Sequence, residues 1–165
     1  DVLQIEVTQF EGKGKLVITG QLGDVMKESA SIAYDYVRAN AKKFKIKPEV
    51  FDKTDVHIHV PEGAVPKDGP SAGVTLTTAL VSLFTGTPVK ADLAMTGEVT
   101  LRGNVLPIGG LKEKSMAAHR CGISTIVIPK ANVKDLDDVP QAVKDAVTFI
   151  PAEKISQVLD AALVK

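Results

Sequence analysis

The chain has 165 residues, 44% of them hydrophobic and 24% charged, which is ordinary for a folded globular domain. Lys and Arg number 20, as do Asp and Glu, so the overall charge gives no reason to expect a nucleic-acid or membrane partner. The single cysteine, Cys121, excludes an internal disulfide and favours a reducing, cytoplasmic compartment. We expect one domain over residues 1–165. Because residues 2–7 begin as if inside a strand, we expect it to be a fragment of a longer protein.

The first third of the chain predicts two strands and a helix. Residues 2–10 and 15–20 predict a hairpin, with residues 11–14 as its turn. A helix begins at Gly23-Asp24, with Asp24 as its N-cap. Hydrophobic residues recur every three or four positions and give this helix one inward face: Met26, Ala30, Ala33, Val37, Ala41 and Phe44.

In the next segment hydrophobic and polar residues alternate, which predicts a half-buried strand with Val56, Ile58 and Val60 on its inner face. His57 and His59 then share the outer face. This spacing is compatible with a zinc site, but no third ligand is evident nearby, so structural hydrogen bonding is the expected role.

The rest of the chain mixes helices and strands. Residues 70–84 carry no charge and predict a helix with Pro70 in its first turn. The further predictions are a hairpin of 93–101 with 104–108, a helix from Gly109-Gly110 to Cys121, short strands at 126–128 and 147–150, and a final helix marked by Ile155, Val158, Leu159, Ala162 and Leu163. The fold class is therefore α/β or mixed α+β, with mixed sheets packed against helices.

Ser71 is the first candidate for chemistry because it lies at the start of the uncharged helix. Free backbone N–H groups and the positive end of the helix dipole favour attack on a carbonyl there. Residues 69–73 also fit the G-x-S-x-G elbow of α/β-hydrolases. That elbow needs a strand that turns directly into the helix, whereas three prolines lie between Val60 and Ser71. The only downstream histidine, His119, falls within a helix, so the elbow is disfavoured.

Lysine is the other class of base. On a wheel of about 100° per residue, Lys114 falls within the apolar arc formed by Leu111, Ala117, Ala118 and Cys121. Lys112 falls on the opposite side. The pattern therefore predicts that Lys112 faces solvent and Lys114 faces the core, with no acidic residue on the inner face to neutralise it.

Burial without a counter-charge lowers a lysine's pKa. A lysine with an ordinary pKa of ~10.4 is neutral in about one of 2,500 molecules at pH 7, whereas a pKa of roughly 8 makes about a tenth of the molecules neutral. The alternative is that Lys114 extends its ammonium group to the surface, and the wheel alone favours that alternative.

Several runs in this order resemble the C-terminal proteolytic domain of Lon, the ATP-dependent serine protease. They are residues 60–64, 66–73, 95–98, 101–103 and 106–114, and the similarity extends from the helix start at Gly23-Asp24 to the final helix. The resemblance implies a fold of the Lon-protease type, which is shared with the second domain of ribosomal protein S5.

The resemblance also implies a Ser–Lys dyad, with Ser71 as nucleophile and Lys114 as general base. Thr96 matches a threonine that holds the lysine by a hydrogen bond. The backbone N–H groups of Ser71 and Ala72 are the candidate oxyanion donors. Asp68 reads as a turn or N-cap residue or, alternatively, as a regulatory carboxylate that pairs with Lys114 in an inactive state.

The remaining candidates favour structural roles. Cys121 is expected to be a small core residue beside Lys114. Gly109-Gly110 precedes a helix, but no lysine-threonine ending of a phosphate-binding loop follows, so nucleotide binding is not expected here.

By resemblance, the domain has no cofactor or metal of its own, and ATP with Mg²⁺ belongs to an AAA+ ATPase region outside these residues. Expected partners are unfolded or tagged polypeptide substrates, that ATPase region, and identical subunits in a hexamer. Lon-like folds also occur without proteolysis, as in the C-terminal domain of the recombination protein RadA. Such domains lack the Ser–Lys pair, so the presence of both Ser71 and Lys114 argues against that alternative. A generic serine esterase is the third possibility.

Overall fold

The computed structural model describes residues 5–20, 23–61 and 72–164. Its strands are β1 (Glu6–Glu11), β2 (Leu16–Thr19), β3 (Thr54–His59), β4 (Leu93–Met95), β5 (Glu98–Val99), β6 (Val105–Leu106), β7 (Thr125–Pro129) and β8 (Thr148–Ala152). Its helices are α1 (Asp24–Ala39), α2 (Val50–Lys53), α3 (Gly73–Thr85), α4 (Leu111–Arg120), α5 (Gln141–Ala146) and α6 (Ile155–Ala162), with a 3₁₀ helix at Lys130–Asp138. The predicted mixture of helices and sheets is confirmed.

The first sheet has the strand order β1-β3-β2, so the predicted hairpin of β1 with β2 is wrong. β3 lies between them, antiparallel to β1 and parallel to β2. The connection wraps around Asp55 at the start of β3, whose carboxylate accepts the backbone N–H of Lys13 at 2.9 Å and of Lys15 at 2.8 Å. These bonds direct the chain past β3, which is why the turn does not close β1 onto β2.

The second sheet has the order β4-β7-β8 with all pairs parallel, and it is covered on both faces. One face of the sheet packs into the larger core, which includes residues of α1, α3 and α6. Val127 of the central strand β7 lies on this face. The other face carries Ala94, Ile126 and Ile128 and packs against residues of α4 and α5. A parallel sheet buried on both faces reads as a continuous apolar run, as Ile126-Val127-Ile128 does.

The second predicted hairpin is shorter than expected, because residues 93–101 do not form one strand. β4 pairs with β7, and only β5 pairs with β6. The break falls at Gly97, whose φ of +154° is a conformation that other residues rarely adopt. This glycine lets the chain leave the second sheet and begin the two-stranded β5–β6 sheet.

The helices agree with the periodicity, with small differences at their ends. Gly23 and not Asp24 is the N-cap of α1, and Asp24 is its first residue. The predicted inward face of α1 and of the segment that follows it is buried, with Phe44 partly so. The uncharged helix begins at Gly73 in the described part of the chain, and Pro70 lies outside it. Among the described residues, none of the helices has the length and apolar character needed to cross a membrane.

Candidate active site

Thr96 follows directly after the carboxyl end of β4. It is 7% exposed, and its backbone N–H donates to the carbonyl of Val127 in β7 at 3.1 Å. Binding and catalytic groups collect beyond the carboxyl ends of parallel strands, because loops and helix starts converge there. The position of Thr96 therefore marks this edge of the second sheet as the candidate site.

The start of α3 is fixed at the same edge. The backbone N–H of Val74 donates to the carbonyl of Gly97 at 3.0 Å. A Cβ atom at Gly73 would lie 2.9 Å from the backbone nitrogen of Val99, so the helix approaches the β4–β5 junction as closely as a glycine allows. The first turn of α3 contains no acidic residue, which leaves the positive end of its dipole uncompensated by the helix itself.

The two candidates that precede α3, Ser71 and Asp68, lie outside the described residues. Ala72, which follows Ser71 in the chain, is the N-cap of α3 and is 4% exposed. The N–H of Val74 is already bonded to Gly97 and is not available to an oxyanion. That bond leaves the earlier N–H groups of the segment, including those of Ser71 and Ala72, as the candidate donors.

The start of α4 reaches the same edge from the other face of the sheet. Asn132, three residues after β7 ends, donates from Nδ2 to the carbonyl of Ile108 and accepts the N–H of Ile108 at Oδ1, both at 2.9 Å. Ile108 precedes α4 by three residues. Lys114, in the first turn of α4, donates its backbone N–H to Gly110 at 3.0 Å. The first turn that carries Lys114 is thus tied to the carboxyl end of β7.

Lys114 differs from its predicted burial. The buried residues of α4 are Leu111, Ser115, Ala117 and Ala118, and Lys114 as a whole is exposed. On the wheel Lys114 lies about 60° from Leu111, between the buried Ala117 and Ala118. Its exposure despite this position shows that the prediction that Lys114 faces the core is wrong.

The pKa of Lys114 is nevertheless lowered, in the direction predicted from the sequence. Burial by the surrounding protein atoms lowers the pKa of Lys114 from its usual value of 10.5. The residue as a whole nevertheless keeps an exposed surface.

The structure also decides the predictions for Cys121 and for the histidine pair of β3. Cys121 is exposed, so its expected place in the core is wrong. It is the C-cap of α4, where the helix ends, and a helical wheel does not predict the position of a residue beyond the last turn. Thr19 Oγ1 lies 2.7 Å from both His57 Nε2 and His59 Nδ1, as expected for structural hydrogen bonding. Among residues 5–20, 23–61 and 72–164, no cluster of three or more His, Cys, Asp or Glu side chains is arranged to hold a metal ion.

Comparison with known proteins identifies the family. The whole chain, residues 1–165, matches the family described as the Lon protease (S16) C-terminal proteolytic domain. This chain belongs to that family. Lon protease of Brevibacillus choshinensis is 61% identical over 165 residues, which are 100% of this chain and 21% of that protein. Lon protease 1 of Bacillus subtilis (strain 168) is 58% identical over 164 residues, which are 99% of this chain and 21% of that protein.

A third relative gives a similar value. Lon protease 1 of Myxococcus xanthus is 57% identical over 164 residues, which are 99% of this chain and 20% of that protein. The resemblance predicted from the sequence motifs is confirmed, and it replaces the esterase and recombination alternatives. The chain spans about a fifth of the length of the Lon proteases that it matches.

The sequence motifs did not draw attention to Asn132. It lies in a polar segment without hydrophobic periodicity, and its contacts join residues that are 24 positions apart. Only the fold brings it to the start of α4.

Proposed function

We propose that this Lon proteolytic domain hydrolyses peptide bonds through Ser71 and Lys114. The neutral amine of Lys114 takes the hydroxyl proton of Ser71 as Oγ attacks the carbonyl carbon of the substrate. The tetrahedral intermediate collapses to an acyl-enzyme, and Lys114 gives the proton to the departing amine. Water then attacks the ester with Lys114 again as base, which releases the acid and restores Ser71.

The match of residues 1–165 to the Lon proteolytic family is the observation that carries this proposal, and the lowered pKa of Lys114 supports it. A general base works only in its unprotonated form, and an ordinary lysine is almost entirely protonated at neutral pH. The start of α3 is bonded to the β4–β5 junction, and the segment before α4 is bonded to Asn132 just after β7, which supports a pairing of Lys114 with Ser71.

Three further residues have supporting roles in the proposal. Thr96 orients the amine of Lys114 through its hydroxyl, which adds no charge that would raise the pKa of the lysine. The N–H groups of Ser71 and Ala72 stabilise the oxyanion, aided by the positive end of α3. Asp68 pairs with Lys114 in an inactive state and raises its pKa there.

The length of the relatives supports a larger assembly. We propose that residues 1–165 are one domain of a protein whose remaining part holds substrate-binding and AAA+ ATPase regions. ATP and Mg²⁺ belong to that part, and the proteolytic domain uses no cofactor of its own. The assembled protein is a cytoplasmic homo-hexamer that degrades unfolded, misfolded or tagged polypeptides.

Hydrolysis of a fluorogenic peptide by wild type, Ser71→Ala and Lys114→Ala tests the dyad. Each substitution removes one reacting group, so kcat/KM falls at least about 10³-fold while the unfolding transition is retained. Lys112→Ala is the matched control, since it removes an exposed lysine from the same turn and leaves the rate unchanged. Near-normal hydrolysis by Lys114→Ala contradicts the proposal.

A further inference from the structure

Asn132 forms a buried clamp on the segment that leads into α4. Its side chain is 2% exposed and makes three hydrogen bonds within protein: two with the backbone of Ile108, and one from Nδ2 to Asp135 Oδ2 at 2.8 Å. Only one orientation of the amide satisfies all three, because Ile108 offers both a donor and an acceptor and Asp135 offers an acceptor. Each buried bond that is lost leaves a polar group without its partner.

The clamp lies on one side of two exposed glycines. Gly109 and Gly110 separate Ile108 from α4, and Gly110 takes the left-handed conformation at φ +75° as the N-cap of the helix. A pair of exposed glycines imposes little restraint on the direction in which the chain enters the helix. Three residues of chain reach at most about 11 Å, so fixing Ile108 limits how far the start of α4 can lie from the clamp.

Strand β7 is the common reference for the clamp and for Thr96. Val127 in β7 accepts the backbone N–H of Thr96, and the chain continues from the end of β7 at Pro129 to Asn132. β7 is thus connected to Thr96 by a hydrogen bond, and to the segment before Lys114 by the chain from Pro129 to Asn132 and the bonds of Asn132 to Ile108. The relative position of Thr96 and the first turn of α4 depends on both connections.

We propose that Asn132 is a positioning residue that holds the first turn of α4, and with it the side chain of Lys114, in register with the β4–β5 junction. The proposal rests on the proposed function of Lys114. A displacement of about 1 Å at a reacting group costs on the order of 10²-fold in rate. Loss of the clamp is therefore expected to lower kcat without removing any group that contacts substrate.

The decisive variant is Asn132→Asp, which preserves size and the acceptor for the N–H of Ile108. It replaces the donating amide by an oxygen that faces the carbonyl of Ile108 and the carboxylate of Asp135. We expect kcat for peptide hydrolysis to fall about 10- to 100-fold with KM within about twofold. The double variant Asn132→Asp with Asp135→Asn places an amide donor at position 135 opposite the new carboxylate. We expect it to recover at least about half of the loss in log kcat.

The matched control is Asn104→Asp, which adds the same charge at an asparagine whose Oδ1 accepts from Lys154, away from α4. Its kcat is expected to equal that of wild type. Amide exchange in Asn132→Ala gives a readout independent of activity: the N–H of Ile108 exchanges at least about 10-fold faster, while that of Thr96 exchanges as in wild type.

The outcomes separate this proposal from the proposed function. Faster exchange at Ile108 with an unchanged kcat, or equal losses of kcat in Asn132→Asp and Asn104→Asp, overturns the positioning role and leaves the dyad intact. Full activity in Ser71→Ala or Lys114→Ala overturns the dyad whatever Asn132 does.

Discussion

Gly73→Ala tests the close contact that fixes the start of α3 near the β4–β5 junction. Alanine is the better helix former by about 1 kcal/mol, so local propensity alone predicts a more stable protein. The added Cβ would lie 2.9 Å from the nitrogen of Val99 and 3.4 Å from the carbonyl oxygen of Gly97. Since non-bonded heavy atoms rest at about 3.5–4.0 Å, the helix and the strand must separate by roughly 0.6 Å or more.

The packing cost outweighs the gain in propensity. The atoms that must move are backbone atoms of β5 and of the β4–β5 junction, which side-chain rotation cannot relieve. Overpacking of this kind costs about 1–3 kcal/mol, and subtracting the propensity gain of about 1 kcal/mol leaves an expected net loss of up to about 2 kcal/mol in the free energy of unfolding. Because the shift also moves the helix that directly follows Ser71, kcat is expected to fall about 10- to 100-fold.

Urea unfolding and peptide hydrolysis measured on the same preparation check both values. Gly109→Ala is the matched control, because nothing lies within 4 Å of a Cβ built there, and its free energy of unfolding should change by less than about 0.5 kcal/mol. If Gly73→Ala is more stable than wild type and fully active, the close approach of α3 does not constrain the site, and the reasoning is refuted.

Three further predictions concern single side chains. Thr96→Val keeps the size of a buried residue and removes the hydroxyl, so kcat is expected to fall about 10- to 100-fold, with unfolding changed by no more than about 1–2 kcal/mol; an unchanged kcat excludes Thr96 as a partner of Lys114. The backbone N–H groups of Lys15 and Lys13 lower the pKa of Asp55 from its usual 3.8, so its stabilising effect is present above that pH and is lost as pH falls through the lower value in the folded state. Urea unfolding of Asp55→Asn should therefore show a deficit at pH 7 that shrinks below pH ~3.8, and a deficit that is independent of pH contradicts this cause. Asp68→Asn should retain or raise peptidase activity if Asp68 pairs with Lys114 only in an inactive state, and complete loss of hydrolysis argues for a catalytic role instead.

Periodicity predicted the elements that bury one face. The inward residues of α1, the strand β3 and the final helix α6 follow from spacing alone, because these residues meet one continuous core. The helices α2 and α5 were not predicted, since four and six residues are too few to show a period. The 3₁₀ helix at Lys130–Asp138 was missed because its one buried residue, Asn132, is polar.

Strand pairing could not be predicted from local pattern. A short turn between β1 and β2 favoured a hairpin, but the carboxylate of Asp55, 40 or more residues away in sequence, organises that turn around β3. The same limit applied to β4, whose partner β7 begins 28 residues (125 − 97) downstream of the glycine that breaks the strand.

The candidate site was partly predictable. The motifs identified Ser71, Lys114 and Thr96 as a group, and the fold places Thr96 and the first turn of α4 at one edge of the second sheet. The wheel correctly placed Lys112 in solvent, yet it treated an end of a helix as if it were the middle and so overestimated the burial of Lys114 and Cys121. The clamp at Asn132 depends on contacts between distant segments, which sequence spacing does not contain.

Titration of the Lys114 side chain tests the central claim most directly. Nitrogen-15 NMR of the Nζ atom, assigned by comparison with Lys114→Arg, gives its pKa in the folded protein, and the pH dependence of kcat/KM for peptide hydrolysis gives the pKa of the catalytic base. Loss of the proton generates the base, so activity should rise with pH through a midpoint below 10.5 that coincides with the Nζ titration. A Lys114 that titrates at or above 10.5 while activity rises at a lower pH would show that another group is the base.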